Sequence, residues 1–144
     1  MKLLLRIALL MSLGAASPAR NPAGTLVVKL EGVRNLKGYI RACLMKDARA
    51  FPSCERDPHS IKLSVPASAT SIRFEQVQSG DYALALFHDE NANNRLDTLF
   101  GIPREGFGFS RNPRVRFGAP RFNDASITIG AAITRLSVRL QYIL

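Results

Sequence analysis

Apolar and polar residues alternate in short segments along most of this chain. Between residues 134 and 144, for example, Leu136, Val138 and Leu140 alternate with polar residues and would share one face of a strand. Strand-like segments occur at 25–33, 39–46, 61–65, 71–77, 82–89, 126–130 and 134–144. Turn residues separate these segments, and no long helical period intervenes. The pattern therefore predicts an all-β protein, an antiparallel two-sheet sandwich of about seven strands.

The segment "YALALF" at 82–87 is apolar on both of its faces. Strands with this composition are buried on both sides, so we expect it to be a central, covered strand of its sheet. Helix is expected only in short pieces, near 47–51 or 120–125.

The chain from Asp89 to Asp124 lacks a convincing strand pattern. Loops longer than about 12–15 residues in a compact domain are usually functional or disordered. Disorder is not expected, because five of the eight phenylalanines fall in this segment: Phe100, Phe107, Phe109, Phe117 and Phe122. So much apolar area predicts one long ordered loop that folds back and packs.

The first sixteen residues have the pattern of a secretory signal peptide. Lys2 and Arg6 come before an apolar run at 7–13, and small residues follow that run. Cleavage is expected after Ala16. The run is shorter than the roughly 20 residues of a membrane-spanning helix, so the mature chain is expected to have no transmembrane segment. The predicted parts are a signal peptide (1–16), an N-terminal lead (17–24) and a single β-sandwich domain (25–144). The expected location is periplasmic or secreted.

The chain is basic, with a formal net charge of +9 that falls to +7 when Lys2 and Arg6 are removed. A basic exported protein suggests acidic neighbours, such as an anionic envelope component or an acidic glycan. A protein partner, or a role of the charge in solubility alone, stays open. Nucleic acid is not an expected partner, because the chain is predicted to leave the cytoplasm.

Cys43 and Cys54 are the two cysteines of the chain, and an even count in an oxidising compartment predicts one disulfide. Strand alternation places Cys43 on the outward, more polar face of its strand, where it could hold the loop that follows. Closing so short a loop should stabilise the fold by roughly 2–3 kcal/mol. A reactive thiol pair is the alternative, although the spacing differs from that of redox motifs.

The stretch "HDENANNRLD" at 88–97 places acids and amides at alternate positions. Counted from Asp89, side-chain oxygens fall at positions one, three, five and nine, as in the front of an EF-hand or dockerin calcium loop. Position seven would contribute its backbone carbonyl. The predicted ligands are Asp89, Asn91, Asn93, Arg95 and Asp97.

The match to a calcium loop ends at position twelve, which is Phe100 rather than a bidentate carboxylate. Glu105 and Asp124 are the candidates for the missing ligand. Because only two carboxylates are certain, calcium binding should be weak, at about 10⁻⁴–10⁻³ M. The alternative is a metal-free turn whose amides bond to its own backbone.

Other loop residues are candidates for ligand contact. The segment "GIPREGFGF" at 101–109 combines glycines with aromatic rings, which can stack on sugars or peptides or can simply seal the loop. Residues 111–121 contain four arginines and no acid, which suits phosphate or carboxylate, although a solvated loop is the alternative. The candidate ligand-binding residues are His88, Arg104, Phe107, Arg111, Arg114 and Arg116.

The stretches 79–112 and 117–129 resemble the bacterial family catalogued as domain of unknown function 2141. The family pattern includes His-Asp-x-Asn-x-Asn-x-x-Leu-Asp and Gly-Ile-Pro-x-Glu-Gly-x-Gly-Phe-Ser-x-Asn. The signature positions here are His88, Asp89, Asn91, Asn93, Leu96, Asp97, Gly101, Ile102, Pro103, Glu105, Gly106, Gly108, Phe109, Ser110 and Asn112. The resemblance implies an exported protein with a transthyretin-like or immunoglobulin-like sandwich, and it implies no particular activity.

Three functions are consistent with these patterns. The first is a binding module whose long loop, stabilised by calcium, contacts an envelope component, a glycan or a protein. The second is a small hydrolase or lyase that uses His88, Asp89 and Glu105, although no nucleophile motif accompanies them. The third is a structural envelope subunit that pairs with another chain through an exposed edge strand at 25–33 or 135–144.

Overall fold

The computed structural model describes residues 22–144, so the predicted signal peptide (1–16) and most of the lead (17–24) lie outside the described residues. The strands are β1 (Ala23–Glu31), β2 (Tyr39–Met45), β3 (Ile61–Pro66), β4 (Ser71–Gln78), β5 (Gly80–Asp89), β6 (Thr98–Leu99), β7 (Ile102–Pro103), β8 (Phe107–Phe109), β9 (Ser126–Ile129) and β10 (Ile133–Arg139). The helical pieces are a 3₁₀ turn (Cys54–Arg56) and α1 (Phe122–Ala125). The seven predicted segments correspond to the seven longest of these strands.

Two sheets form the predicted sandwich. The first has the strand order β10–β1–β4. The second has the order β3–β2–β5, and both β8 and β9 pair with the far edge of β5. The predicted all-β sandwich is confirmed, and β5 is the central strand that its apolar pattern indicated.

One strand pair differs from the predicted antiparallel arrangement. β1 and β10 are parallel, with Thr25 opposite Ile133. This follows from the path of the chain, which leaves the second sheet after β9 and enters the first sheet beside the start of β1, where the Thr25 N–H reaches the Ala132 carbonyl. Because β1 also pairs with β4 on its other side, it is the middle strand of its sheet. The expectation that 25–33 forms an exposed edge is therefore wrong.

The main core lies between the two sheets. Fully buried side chains include Leu26 and Val28 from β1, Phe74 from β4, and Leu44 and Leu84 from the second sheet. Each side chain of this size contributes about 1.5–3 kcal/mol when it leaves water, so the alternation of apolar residues determines which face of each strand is inward.

A second apolar cluster covers the outer face of the five-stranded sheet. Phe107, Phe109 and Ala125 pack there on Ala83, with Phe51 edge-on to Phe109 at a centroid distance of 5.7 Å. β5 is thus covered on both faces, as predicted.

The disulfide between Cys43 and Cys54 lies on the same outer face, with a Cα–Cα distance of 6.0 Å, and this prediction is confirmed. Cys43 is on the face of β2 opposite the main core, where the 46–60 loop buries it. The 47–51 segment forms turns rather than the short helix considered there, whereas α1 falls within 120–125.

The long loop is more structured than its sequence indicated, because β6, β7, β8 and α1 all lie within residues 89–125. Phe107, Phe109 and Phe122 pack on the sandwich as expected. Phe100 and Phe117 do not, since they are 96% and 98% exposed. The loop therefore folds back and packs as predicted, and the exposed pair needs another explanation.

Candidate functional site

The loop that follows β5 is organised around Asp89, which is completely buried. Its Oδ1 accepts the Asn93 backbone N–H at 3.0 Å, and its Oδ2 accepts the Asn94 N–H at 3.0 Å. Arg41 donates its Nε–H to Oδ2 at 2.9 Å. A buried carboxylate needs such partners, so Asp89 both ends β5 and bends the chain into the loop.

The side chains of Asn91 and Asn93 converge on Asp97. Their Nδ2 groups donate to the two Asp97 oxygens at 2.7 and 2.9 Å. The Asn93 Oδ1 accepts the Arg95 N–H at 2.9 Å, and Asn94 adopts the left-handed conformation expected at position six, with φ 62°. Hydrogen bonds from Asn93 and then Asn91 lower the pKa of Asp97 below its ordinary value.

The structure thus brings together the oxygen-bearing side chains that the sequence assigned to calcium. Within residues 22–144 no three His, Cys, Asp or Glu side chains are grouped to hold a metal ion, so the amides of Asn91 and Asn93 would have to be ligands. Their nitrogens, not their oxygens, face Asp97, and a bound calcium would require both amides to rotate. The described contacts complete a metal-free turn, and calcium binding stays a prediction.

Glu105, a candidate for the missing calcium ligand, instead clamps the two ends of the loop. Its Oε1 accepts the Glu90 N–H at 2.9 Å, and its Oε2 accepts the Asp97 N–H at 3.0 Å. Asp124 does not reach this loop. It bonds to the Arg121 N–H beside Ala125, which packs on Ala83 near the start of β5, whereas Asp89 ends that strand.

His88 is completely buried and belongs to a hydrogen-bonded chain. Its Nε2–H donates to the Lys37 carbonyl at 2.7 Å, and its Nδ1 accepts the Tyr142 hydroxyl at 2.9 Å. The Tyr142 oxygen in turn accepts the Arg34 N–H at 3.1 Å, and burial raises the pKa of this tyrosine. His88 and Asp89 are thus completely buried, and Glu105 lines a small cleft with both of its oxygens bonded to backbone N–H groups.

A small hairpin formed by β6 and β7 projects from the same end of the sandwich. Its turn consists of Phe100 and Gly101, with φ values of 50° and 77°. Positive φ at both positions defines a type I′ turn, in which Asn-Gly is favoured. Phe100 nevertheless occupies the first position, at a cost of about 1–2 kcal/mol. The sequence offered one signal for this hairpin, Gly101 between two apolar pairs, without the usual Asn.

A family model described as uncharacterized proteins conserved in bacteria matches residues 28–137, from β1 to β10. The chain belongs to that family, DUF2141. The match confirms the resemblance indicated by the loop motifs. Neither curated proteins nor solved structures gave a match to this DUF2141 chain. Within residues 22–144 it contains no helix that is long and apolar enough to cross a membrane.

The remaining candidate residues of the DUF2141 chain fall in different places. Phe107 is buried in the outer cluster, an arrangement that agrees with the alternative in which its ring seals the loop. Arg104 is exposed beside the hairpin and lines a small cleft of about 230 Å³. Arg111 and Arg114 line a separate, open cleft of about 550 Å³, and Arg116 is exposed nearby.

Proposed function

We propose that this DUF2141 protein acts outside the cytoplasm as a binding module that contacts an envelope component through its β6–β7 hairpin. The observation that carries the proposal is Phe100, which is 96% exposed at a positive φ. Neither feature stabilises the fold, since the ring gains no burial and its backbone is strained. Strain and exposure at one residue are typical of contact with a partner.

The hairpin has a rigid support. The Arg104 N–H donates to the Asp97 carbonyl at 2.9 Å and extends the hairpin ladder toward the loop. The Glu105 carboxylate accepts the N–H groups of Asp97 and Glu90. Because Glu90 directly follows β5, this fixes the base of the hairpin to the end of that strand. A preorganised hairpin loses little conformational entropy on binding, which favours a recognition role for it.

The other two functions have less support. The enzyme proposal needs accessible acid–base groups, and His88, Asp89 and Glu105 are buried. Strand addition at 135–144 needs a free outer edge of β10, but Asn112 bonds to that edge. Its Nδ2 donates to the Ser137 carbonyl at 3.0 Å, and its Oδ1 accepts the Arg139 N–H at 2.8 Å.

The test uses bacterial envelope divided into membranes, cell-wall glycan and soluble proteins. Purified residues 17–144 are incubated with each fraction, and retention of the protein is measured. Phe100→Asn removes the ring and introduces the Asn-Gly turn, so the hairpin should remain folded. We expect one fraction to retain the wild type and to retain Phe100→Asn at least roughly ten-fold less, a difference of about 1.4 kcal/mol.

Phe117→Asn is the matched control, because Phe117 is also nearly fully exposed but lies outside the hairpin. It should be retained like the wild type. Lack of retention by every fraction, or an equal loss for the two variants, would contradict the proposal. Export is checked separately by the mass of the protein recovered from the cell envelope, which should lack residues 1–16.

A further inference from the structure

We infer that the component bound by the hairpin is a lipid bilayer surface that carries anionic phosphate head groups. This inference rests on the proposed function and names its partner. It depends on the shape of the hairpin tip and on the charges around it.

The hairpin tip is convex and apolar. Leu99, Phe100 and Ile102 are 46%, 96% and 43% exposed, and they are adjacent on a two-residue turn. A methyl group built on Gly101 would meet no atom within 4 Å, so solvent surrounds the tip. A protein partner would need a concave pocket to cover such a tip, whereas the boundary between head groups and acyl chains accommodates it without a preformed pocket.

The charges beside the tip are arranged for an anionic surface. Arg95 and Arg104 flank the hairpin and are accessible. No salt bridge of either guanidinium is described within residues 22–144, although both charges act on nearby Asp97. The acids at this end of the sandwich line a small cleft beside Arg104, and their oxygens accept hydrogen bonds from protein groups. Asp97 accepts the Asn91 and Asn93 amides, and Glu105 accepts two backbone N–H groups.

Glu90 is also bonded within the protein, because Arg34 and Asn35 donate to its oxygens. Asn35 belongs to the β1–β2 turn, which therefore lies against the loop and adds an exposed Leu36, 73% accessible, and Lys37 to the same end. Accessible cations beside exposed apolar side chains are the combination that binds anionic lipid surfaces, and each cation near the surface strengthens binding roughly five-fold.

The experiment uses the absence of tryptophan from this chain. Phe100→Trp places one fluorophore at the tip, and Phe117→Trp is the matched control. Each protein is mixed with vesicles of phosphatidylcholine, or of phosphatidylcholine with phosphatidylglycerol. We expect the emission of the Phe100→Trp protein to shift to shorter wavelength with the anionic vesicles and to be quenched by lipids brominated on their acyl chains. The Phe117→Trp protein should show neither change.

Vesicle co-sedimentation of the wild type and of charge variants completes the test. Arg95→Gln and Arg104→Gln should each weaken binding to anionic vesicles roughly five-fold. Arg135→Gln, which removes an arginine of β10, should leave binding unchanged. Added salt should weaken binding in all cases.

Three results would overturn the inference. The first is an unshifted Phe100→Trp emission with anionic vesicles. The second is an equal response of Phe117→Trp. The third is release of the wild type from vesicles by free glycerol phosphate, which would identify a phosphate site rather than a bilayer. If the soluble-protein or glycan fraction instead retains the protein in a Phe100-dependent way, the lipid inference fails while the proposed function stands.

Discussion

At the scale of single residues, the polar side chains buried in the long loop determine its shape. Asp89 and Glu105 accept backbone N–H groups, and His88 joins Lys37 to Tyr142. Ser110 acts similarly, since its Oγ accepts the Leu84 N–H at 3.0 Å and donates to the Ala125 carbonyl. Asp89 and Glu105 therefore support the loop that carries the hairpin, whereas Ser110 fixes the chain after β8 to β5.

Gly106 has a related reason for its place in the signature. A side-chain carbon at this position would overlap the Tyr142 ring. The backbone approaches that ring closely because the Gly106 carbonyl accepts the His88 N–H at 2.7 Å. Only glycine allows this approach without movement of Tyr142.

Replacement of Glu105 by Gln tests the clamp on the loop. Glutamine has one carbonyl oxygen, so either the Glu90 or the Asp97 N–H loses its acceptor, at about 1–3 kcal/mol. We expect amide exchange at one of these two positions to accelerate by roughly ten- to hundred-fold, as measured by NMR. Glu75→Gln, at an exposed ion pair with Arg73, is the control and should change neither rate. Unchanged exchange in Glu105→Gln would contradict the clamp.

The sequence predicted some of these residue-level features and not others. Alternate spacing indicated that Asp89, Asn91, Asn93 and Asp97 converge, because a tightly turning backbone directs every second side chain to one point. It could not show that the two amides donate to Asp97, which depends on side-chain rotation. It also could not distinguish Phe100 from the phenylalanines that pack, since the number of aromatic residues in a segment does not show which side chains point inward.

At the scale of elements, β5 organises the molecule. β8 and β9 share its far edge, and the chain between them is tied back where the Ser110 N–H donates to the Leu84 carbonyl. The loop and hairpin then extend from the other end of the same strand. The sequence predicted β5 well because a strand that is apolar on both faces must be covered on both sides. β6 and β7 are too short to show an alternation of apolar and polar residues.

The loop should open at low pH. Hydrogen bonds from Asn93 and Asn91 hold the pKa of Asp97 below its ordinary value of 3.8. A carboxyl with a depressed folded-state pKa stabilises the fold fully above its unfolded-state pKa, and this contribution is lost as pH falls through the folded-state value. Side-chain amide resonances of Asn91 and Asn93 should therefore be stable at neutral pH and change below about pH 4.

Asp97→Asn is the control for this titration. It lacks the titrating carboxyl, so the two amide resonances should lose the acid transition. The same transition in Asp97→Asn would show that another group is responsible.

Calcium is tested on the same element. If the Asn91 and Asn93 oxygens rotate toward Asp97 and Asp89, calcium at about ten times its Kd should raise the melting temperature by a few degrees. Magnesium, which demands stricter geometry, should not. Asp97→Asn should lose the calcium response. A melting temperature independent of calcium would leave the hydrogen-bonded turn as the complete description of the loop.

At the scale of the whole molecule, two apolar clusters on either side of one sheet stabilise the fold. Strand alternation predicted the inner cluster, but it could not predict strand partners. For that reason β1 was expected at an edge and lies in the middle. The outer cluster depends on loops, namely Phe51 and the segment held by the disulfide, whose positions follow from long-range packing.

Removal of the disulfide should weaken the whole fold. The bond joins residues that are 11 apart in sequence, so its loss should reduce the free energy of unfolding by roughly 2–3 kcal/mol. Urea denaturation of the Cys43→Ala/Cys54→Ala variant measures this change. Reductant should destabilise the wild type by a similar amount and have no effect on the variant. Equal stability of the variant and the oxidised wild type would contradict a stabilising role.

The place of β1 between β4 and β10 has a consequence for biosynthesis. Thr25 pairs with Ile133 and Glu31 with Arg139, so β1, the first strand within residues 22–144, is made more than a hundred residues before its neighbour β10. During that interval, the backbone N–H and C=O groups on one edge of β1 would have no strand partner. Chaperones that shield extended apolar segments are therefore the cellular machinery on which production of this protein should depend most.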